Sequence, residues 1–347
     1  MIDVGLVGFG FAGKTFHAPI VSAVDGLRLA AIVQRHGDEA AQAFPAAKLV
    51  RSVDQLLAID SIRLIVVATP NTSHAEIARQ CLLAGRDVVI DKPFATAYAE
   101  AADLVAVAKQ HGRLLSVYQN RRWDGDFLTV QKLIADHKLG RIALFESHFD
   151  RFRPHPKTNA WRETAKPGSG ILFDLGSHLI DQALVLLGEP EWLSADVRIE
   201  RDDAEVDDAF DLVLRYKSMR AMLRASVLAS TPTPRFAIQG TGGGYLKYGL
   251  DPQEDALKRG QSPRDKHWGY EAPERWGTLL IAQGDSFVTD KLATAPGDYP
   301  KYYENIRDAL LGKASLTVSP EQALNVMHAL DLAHESSRTG RVLPWKT

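Results

Sequence analysis

The sequence predicts a two-domain α/β protein, a doubly wound parallel sheet followed by an α/β domain on an open, largely antiparallel sheet. Three observations lead there. Apolar runs alternate with helical patterns over the first 120 residues, and beyond them apolar residues recur mostly with period two. The chain has 347 residues, more than one hydrophobic core ordinarily organises. The expected domains are residues 1–120 and 121–347.

The first run, Ile2-Asp3-Val4-Gly5-Leu6-Val7, is apolar on both faces, as a buried parallel strand should be. It leads into Gly8-Phe9-Gly10-Phe11-Ala12-Gly13. In such a turn Gly8 takes tight-turn dihedrals, Gly10 leaves room for a diphosphate, and Gly13 lets the helix pack closely on the strand. The phosphate then sits at a helix N-terminus. A helical pattern through Phe16, Ile20, Val21 and Val24 and a second strand, Leu27–Val33, close a βαβ unit. Residues 1–120 are therefore read as a dinucleotide-binding Rossmann domain. At the end of its second strand, where an NAD site usually places Asp or Glu against the ribose 2′-hydroxyl, stand Gln34, Arg35 and His36. A guanidinium pairs with a 2′-phosphate and stacks on adenine, so NADP(H) is favoured over NAD(H).

The alternation continues. A helix is expected around Asp38–Phe44, a short strand near Leu49-Val50, and a helix from about Val53. A strong strand, Arg63–Ala68, ends in Thr69-Pro70-Asn71-Thr72-Ser73-His74, and the next helix stops at Gly85. Strand Asp87–Ile90 runs into Asp91-Lys92-Pro93, followed by a helix over Ala97–His111 and a strand over Leu114–Tyr118. A helix near Gly125–His137 opens the second domain. Period-two strands are expected over Ile142–Phe149, Trp192–Ile199, Ala209–Tyr216, Met219–Val227 and Phe236–Gln239, with helices over Ile171–Leu187 and Pro320–Ser337. The polar, Pro/Gly-containing stretch Asp251–Arg275 reads as a long loop over the active site or at a subunit contact.

Composition removes several classes of function. With 41 basic and 43 acidic residues there is no electrostatic footprint for nucleic acid or an anionic membrane. One cysteine, Cys81, excludes a disulfide framework and fits a reducing compartment. No apolar run reaches membrane-spanning length and the N-terminus enters a strand at once, so a cytoplasmic protein is expected.

Two groups of residues suggest chemistry. Lys92 follows a strand in the second half of the nucleotide-binding sheet, where ligands bind at strand C-terminal ends, and Pro93 restricts its backbone. It can share in proton transfer or remain an ordinary solvated lysine. Asp174, His178 and Asp181 are separated by four and three residues, which puts them on one helix face. Leu172, Leu175, Leu179, Ala183 and Leu186 supply the packing stripe. An imidazole titrates near neutrality and suits an alcohol proton; Asp174 can orient it or bind a substrate hydroxyl. A metal site is the other use of such residues, but no further ligand cluster is evident and none is expected. Thr69, Pro70, Asn71 and His74 follow a central strand and are candidates for lining the cofactor, with helix capping by Asn71 or Ser73 as the rival role. Asn120 ends the last strand of the first domain and is a candidate for the nicotinamide ribose; Phe9, Phe11 and Ala12 complete the glycine turn. Arg151 and Arg153 are candidates for substrate hydroxyls or a phosphate, and Trp268 for the face of a sugar ring or a subunit contact.

The ordered set of the glycine turn, Ala68-Thr69-Pro70-Asn71 with His74, Asp91-Lys92-Pro93, and Asp174-Leu175-Gly176-Ser177-His178 with Asp181 resembles the glucose-fructose oxidoreductase/inositol dehydrogenase/MocA family across nearly the whole chain. Gly13-Lys14-Thr15-Phe16-His17-Ala18-Pro19 and Tyr118-Gln119-Asn120-Arg121-Arg122-Trp123-Asp124 are most similar to the branch containing NADP-dependent scyllo-inositol dehydrogenases. The resemblance implies hydride transfer between nicotinamide and a secondary alcohol of a cyclitol or sugar, with Lys92, Asp174 and His178 catalytic and facing substrate. It implies that Trp161-Arg162 lie in a loop closing over the nicotinamide, and that the open sheet makes the contacts of a homodimer or homotetramer. The lysine motif usually begins with Glu; here it begins with Asp91. Two other readings stand beside this one: an NADPH-dependent reductase of another carbonyl or a tetrapyrrole-like substrate, and a non-catalytic NADP(H)-sensing regulator.

Overall fold

The computed structural model describes residues 1–156 and 163–346. They divide into two compact units: Met1–Trp123 with Gln253–Trp268 and Asp298–Met327, and Asp124–Pro252 with Gly269–Gly297 and the chain from His328 on. Two late segments, Gln253–Trp268 and Asp298–Met327, thus belong to the first unit.

The first unit holds six parallel strands: β1 Ile2–Val7, β2 Leu27–Val33, β3 Lys48–Val50, β4 Ile62–Val67, β5 Asp87–Ile90 and β6 Leu115–Val117. Their spatial order is β3-β2-β1-β4-β5-β6, the doubly wound arrangement. Parallel neighbours require crossovers, which are supplied by α1 Ala18–Ala23, α2 Glu39–Ala43, α3 Val53–Leu57, α4 His74–Leu83 and α5 Tyr98–Gln110. Leu64, Ile65, Val66 and Val67 in β4 and Val88, Val89 and Ile90 in β5 have no exposed surface, which explains their unbroken apolar runs. The strand order reverses between β1 and β4. Gly8, Gln34, Thr69, Lys92 and Asn120 all follow strand ends on that one edge, where doubly wound sheets bind ligands.

In the second unit α6 Gly125–Ala135 and α7 Ser177–Leu187 accompany a nine-stranded sheet. The strands are β7 Ile142–His148, β8 Trp192–Arg198, β9 Ala209–Arg215, β10 Arg220–Ser226, β11 Phe236–Gly240, β12 Gly243–Lys247, β13 Gly277–Gln283, β14 Ser286–Leu292 and β15 Leu343–Pro344. Their order is β14-β13-β12-β11-β7-β10-β9-β8-β15. All neighbours pair antiparallel except β7 and β10. Phe145, Phe210, Leu212, Leu223 and Phe236 form the buried side, and α7 packs on β10.

The stretch 251–275 is a correction to the sequence reading. It contains α8 Gln253–Lys258, and Ala256, Leu257 and Trp268 join the apolar core of the first unit. Gln253 organises this return: its Oε1 accepts from the Trp268 indole at 2.9 Å and the Tyr299 N–H at 2.7 Å, and its Nε2 donates to the Trp123 carbonyl at 3.0 Å. Two further helices follow, α9 Pro300–Leu310 and α10 Pro320–Thr339. The sequence reading passed over strands β12 to β14 and helix α9, although Tyr302, Tyr303, Ile306 and Leu310 recur at helical spacing on the buried face of α9. Six of the seven residues of β14 are exposed, so no apolar alternation marks it.

Arg121 and Arg122 are buried in the first unit. Arg122 donates to the Thr317 carbonyl at 2.7 Å and to Gln322 at 3.0 Å, while Arg121 meets Glu254 of α8 at 2.5 Å. Burial works to raise the Glu254 carboxyl, but Arg121 and Lys258 outweigh it and bring it down to about 2. A carboxyl held below its unfolded value adds stability that is complete above that value and lost as pH falls through the folded one. Glu254 therefore contributes fully above 4.5 and progressively less toward 2. Glu254→Gln is expected to lower the Tm at neutral pH, with a deficit that narrows through this window. A deficit independent of pH in thermal melts would assign the effect to packing instead of charge.

Candidate active site

The glycine turn is built from two glycines that the protein itself requires and one that it does not. Gly8 sits at φ +98°, and a Cβ there would lie 2.5 Å from the Ala68 carbonyl oxygen. A Cβ on Gly13 would lie 2.1 Å from the Gly8 carbonyl oxygen. Alanine gains only about 1 kcal/mol over glycine in a helix, far less than such an overlap costs. At Gly10 a Cβ would meet nothing within 4 Å. Glycine at that position has no packing reason, and the open space is what close approach of a diphosphate needs. Phe9 packs edge-on to Phe44, and exposed Phe11 packs edge-on to Phe16. The helix that follows begins with a π-helical turn, Gly13–His17, before α1.

At the end of β2, Arg35 and His36 are exposed and Gln34 is half-buried. Arg51, a residue the sequence reading passed over, shapes this loop from the end of β3. Its guanidinium donates to the Gln34 carbonyl at 3.0 Å, the Gly37 carbonyl at 2.5 Å and Asp38 at 2.5 Å. The Gln34 amide donates to Glu39, so both nearby carboxylates are engaged.

After β4, Thr69 is half-buried, Pro70 exposed and Asn71 buried in a 3₁₀ turn. Ser73 precedes α4 without a side-chain cap bond; its hydroxyl donates to Thr69 Oγ1 at 2.8 Å or to the Pro70 carbonyl at 2.9 Å. His74 has no exposed surface, and its ring nitrogens lie 2.8 Å from the Thr69 carbonyl and 2.9 Å from the Pro93 carbonyl. It ties two strand-end loops together. Burial pushes its imidazole below the ordinary value, against the pull of Asp91 and of both carbonyls.

Lys92 is half-buried directly after β5, and its peptide bond to Pro93 is cis. Its N–H donates to the side chain of buried Asp91 at 2.9 Å. Burial works to raise the Asp91 carboxyl, but His17, Lys92 and His74 together hold it below the ordinary range. Asn120 is buried at the head of a 3₁₀ turn after β6.

In the second unit, a π-helical turn, Leu172–Gly176, runs into α7. The helix begins where Asp207 receives it: the Ile171 N–H donates to the Asp207 carbonyl and the Leu172 N–H to its side chain, each at 2.8 Å. Asp174 lies in the wider π turn and is half-buried, while His178 and Asp181 are buried in α7 itself. The polar face is thus sequestered as well as the stripe of Leu172, Leu175, Leu179 and Ala183; Leu186 is only half-buried.

Behind α7 lies a group that sequence spacing could not reveal. Arg235 is almost wholly buried, with its guanidinium 4.1 Å from the ring centres of both Phe149 and Phe236. It donates to Ser147 and, at 2.6 Å, to Gln182 of α7, with Asp126 at 3.5 Å. A buried guanidinium costs several kcal/mol unless so surrounded, and these partners pin α7 to the sheet.

The remaining candidates divide. Arg151 is half-buried and Arg153 exposed, both after β7 with main-chain N–H groups bonded to Ser226 and Val227. Trp268 is a correction: it is 7% exposed in the core of the first unit, with its indole bonded to Gln253, and so offers no open face to a sugar ring. Trp161 and Arg162 lie outside the described residues. Among the described residues, no group of three His, Cys, Asp or Glu side chains is arranged to hold a metal, and no helix is long and apolar enough to cross a membrane.

Comparison with known proteins divides the chain into two consecutive domains. Residues 2–119 match the family model described as "Oxidoreductase family, NAD-binding Rossmann fold", and residues 131–345 match "Oxidoreductase family, C-terminal alpha/beta domain". An uncharacterized oxidoreductase, YdgJ of Escherichia coli K12, is 43% identical over 97% of this chain and 96% of its own. The scyllo-inositol 2-dehydrogenase (NADP(+)) IolW of Bacillus subtilis 168 is 36% identical over 99% and 95%. Among solved structures, the oxidoreductase YvaA of Bacillus subtilis superimposes with a TM-score of 0.96 at 36% identity, covering 99% of this chain and 98% of its own. Both domain matches, in the order the strands and glycine turn require, make this chain an oxidoreductase of the glucose-fructose oxidoreductase/inositol dehydrogenase/MocA family.

Proposed function

We propose that the protein is an NADP(H)-dependent dehydrogenase of a cyclitol or sugar, oxidising a secondary ring alcohol to a ketone, with scyllo-inositol as the first substrate to test. The observation that carries the reading is Lys92, held after β5 on the sheet edge that also bears the open cradle at Gly10. The relative named scyllo-inositol 2-dehydrogenase (NADP(+)), similar over the whole chain, supports the substrate class and the cofactor. Arg35, with no competing free carboxylate in Asp38 or Glu39, supports the 2′-phosphate.

When bound, the nicotinamide ring accepts or donates the hydride. Oxidation of CH–OH to C=O also releases the hydroxyl proton, and His178 is the residue assigned to take it. Lys92 donates a hydrogen bond to the same oxygen and stabilises the negative charge that develops on it. Asp174 orients His178 or bonds a neighbouring hydroxyl. Gly10, Gly8 and Gly13 admit the diphosphate, and Thr69, Pro70, Asn71 and Asn120 are assigned to the ribose and nicotinamide. In the reverse direction the same residues return the proton to the ketone oxygen.

The reading is tested by NADPH formation from a panel of cyclitols and sugars that includes scyllo-inositol and myo-inositol, with NAD+ in parallel. Turnover of a cyclitol with NADP+ is the expected result; tight NADPH binding with no alcohol oxidised would move the search to ketone and aldehyde substrates. Lys92→Met is expected to lower kcat by at least about 100-fold with little change in NADPH affinity, and an unaltered kcat would remove it from the mechanism. Arg35→Asp is expected to shift the NADP/NAD ratio of kcat/KM by about 10- to 100-fold, the size of one lost charge-assisted pair. An unchanged ratio would place 2′-phosphate recognition elsewhere. Gly10→Ala should leave the Tm within about 1 °C while weakening NADPH binding in a fluorescence titration, because its Cβ meets only the cradle. Equal affinity for wild type and variant would mean that no diphosphate comes close to Gly10.

A further inference from the structure

His17 follows the glycine turn by four residues and belongs to none of the roles above. It has no exposed surface. Its Nδ1 lies 2.7 Å from the Tyr303 hydroxyl, and its ring centre lies 4.4 Å from that of Tyr118. Its Nε2 faces Asp91 Oδ1 at 3.5 Å, and that same oxygen accepts the Lys92 N–H at 2.9 Å. Burial keeps Tyr303 a neutral phenol, well above its ordinary value, so its hydroxyl is available to donate to Nδ1. Where the Tyr303 hydroxyl donates to Nδ1, a ring N–H lies on Nε2, the nitrogen that faces the carboxylate 3.5 Å away.

The residue that follows the nucleotide turn and the residue that precedes the candidate catalytic lysine are thus joined by one buried contact. On the other side of the motif, His74 holds the Pro93 carbonyl at 2.9 Å. Two imidazoles therefore clamp the three-residue segment Asp91-Lys92-Pro93. The titratable groups around His17 are Asp91, Lys92, His74, Tyr118, Tyr302 and Tyr303. Asp91 is the one carboxylate among them.

We propose that His17 is a positioning residue for Lys92: it orients the Asp91 carboxylate, which fixes the lysine's main chain and leaves a negative charge beside its ammonium. This rests on the catalytic assignment of Lys92 only for its effect on turnover; the effect on Lys92 itself is independent of any substrate. A shorter carboxylate than the Glu usual in this motif makes the link more demanding, because Asp91 reaches less far from the strand and must be met by a partner from α1's leading turn. His17 is that partner. It does not touch substrate, and its influence passes through Asp91.

The test uses the full chain without cofactor. His17→Phe keeps a ring against Tyr118 and removes the N–H, and Tyr303→Phe keeps every buried ring and releases the other side of the same imidazole. The readout is the rate at which Lys92 is acylated by a small amine-directed reagent, followed by peptide mass spectrometry, with the other lysines as internal controls. Each variant is expected to change the Lys92 rate by about threefold or more, leaving the control lysines and the NADPH Kd unchanged. His17→Gln, whose amide can again donate to Asp91, should restore most of the wild-type rate. With a substrate in hand, His17→Phe should lower kcat by about 10- to 100-fold at unchanged KM, as expected for a misplaced reacting group. If His17→Phe fails to fold, Tyr303→Phe decides alone. A wild-type Lys92 rate in the folded variants overturns the proposal even if Lys92→Met abolishes turnover; a changed Lys92 rate with no effect of Lys92→Met on turnover would instead overturn the catalytic reading and leave the positioning intact.

Discussion

The first unit depends on one close approach, the Gly13 α-carbon against the Gly8 carbonyl, where a single added methyl would lie 2.1 Å from oxygen. That contact lets a helix start directly over the end of β1 instead of swinging away through a longer loop. It leaves the Gly10 face open, and it starts the helix with a π turn whose last residue, His17, is driven fully inside. From there the aromatic cluster of Tyr118, Tyr302 and Tyr303 closes around the imidazole. The nucleotide turn and the Asp91-Lys92-Pro93 segment therefore belong to one packed assembly.

Both units set a polar group deep inside and surround it, at a cost in desolvation that only specific geometry offsets. In the first unit these are His17, His74 and Asp91, bonded to main-chain or side-chain partners at the strand ends. In the second it is Arg235, held between two phenylalanine rings and bonded to α7 and β7. An apolar replacement would pack, but it would not specify one direction for the attached chain. The elements so fixed are those that bear Lys92 and His178.

The two π-helical turns have a common consequence. Each lies in the first residues of a helix, Gly13–His17 before α1 and Leu172–Gly176 before α7; the first ends on buried His17 and the second contains half-buried Asp174. A wider turn offsets the side chains that follow relative to a regular helix, so Asp174 and His178 do not stand in the simple i, i+4 relation that spacing alone describes.

The strands with strong local patterns were readable from the chain: β1, β2, β4 and β5 are mostly apolar, with buried runs such as Leu64–Val67 and Val88–Ile90, and α5, α6 and α10 show a helical period. The family likeness rested on short motifs at strand and helix ends, whose order along the chain is itself sequence information. What could not be read has a shared cause. His17 meets Tyr303 across 286 residues, Arg235 meets Ser147 across 88, and Gln253 gathers Trp123, Trp268 and Tyr299, so their partners are chosen by folding and leave no local period. For the same reason Trp268 looked like a surface aromatic in a polar loop and proved to be core, and β14, exposed on both faces, left no alternation to find. The sequence alone determined the class of fold, the glycine turn and the residues available for chemistry, because these follow from local sterics and periodicity. Tertiary structure alone decided which of those residues are buried, what holds them and which distant segments complete each core, because desolvation and hydrogen bonding act between groups the chain brings together only when it folds.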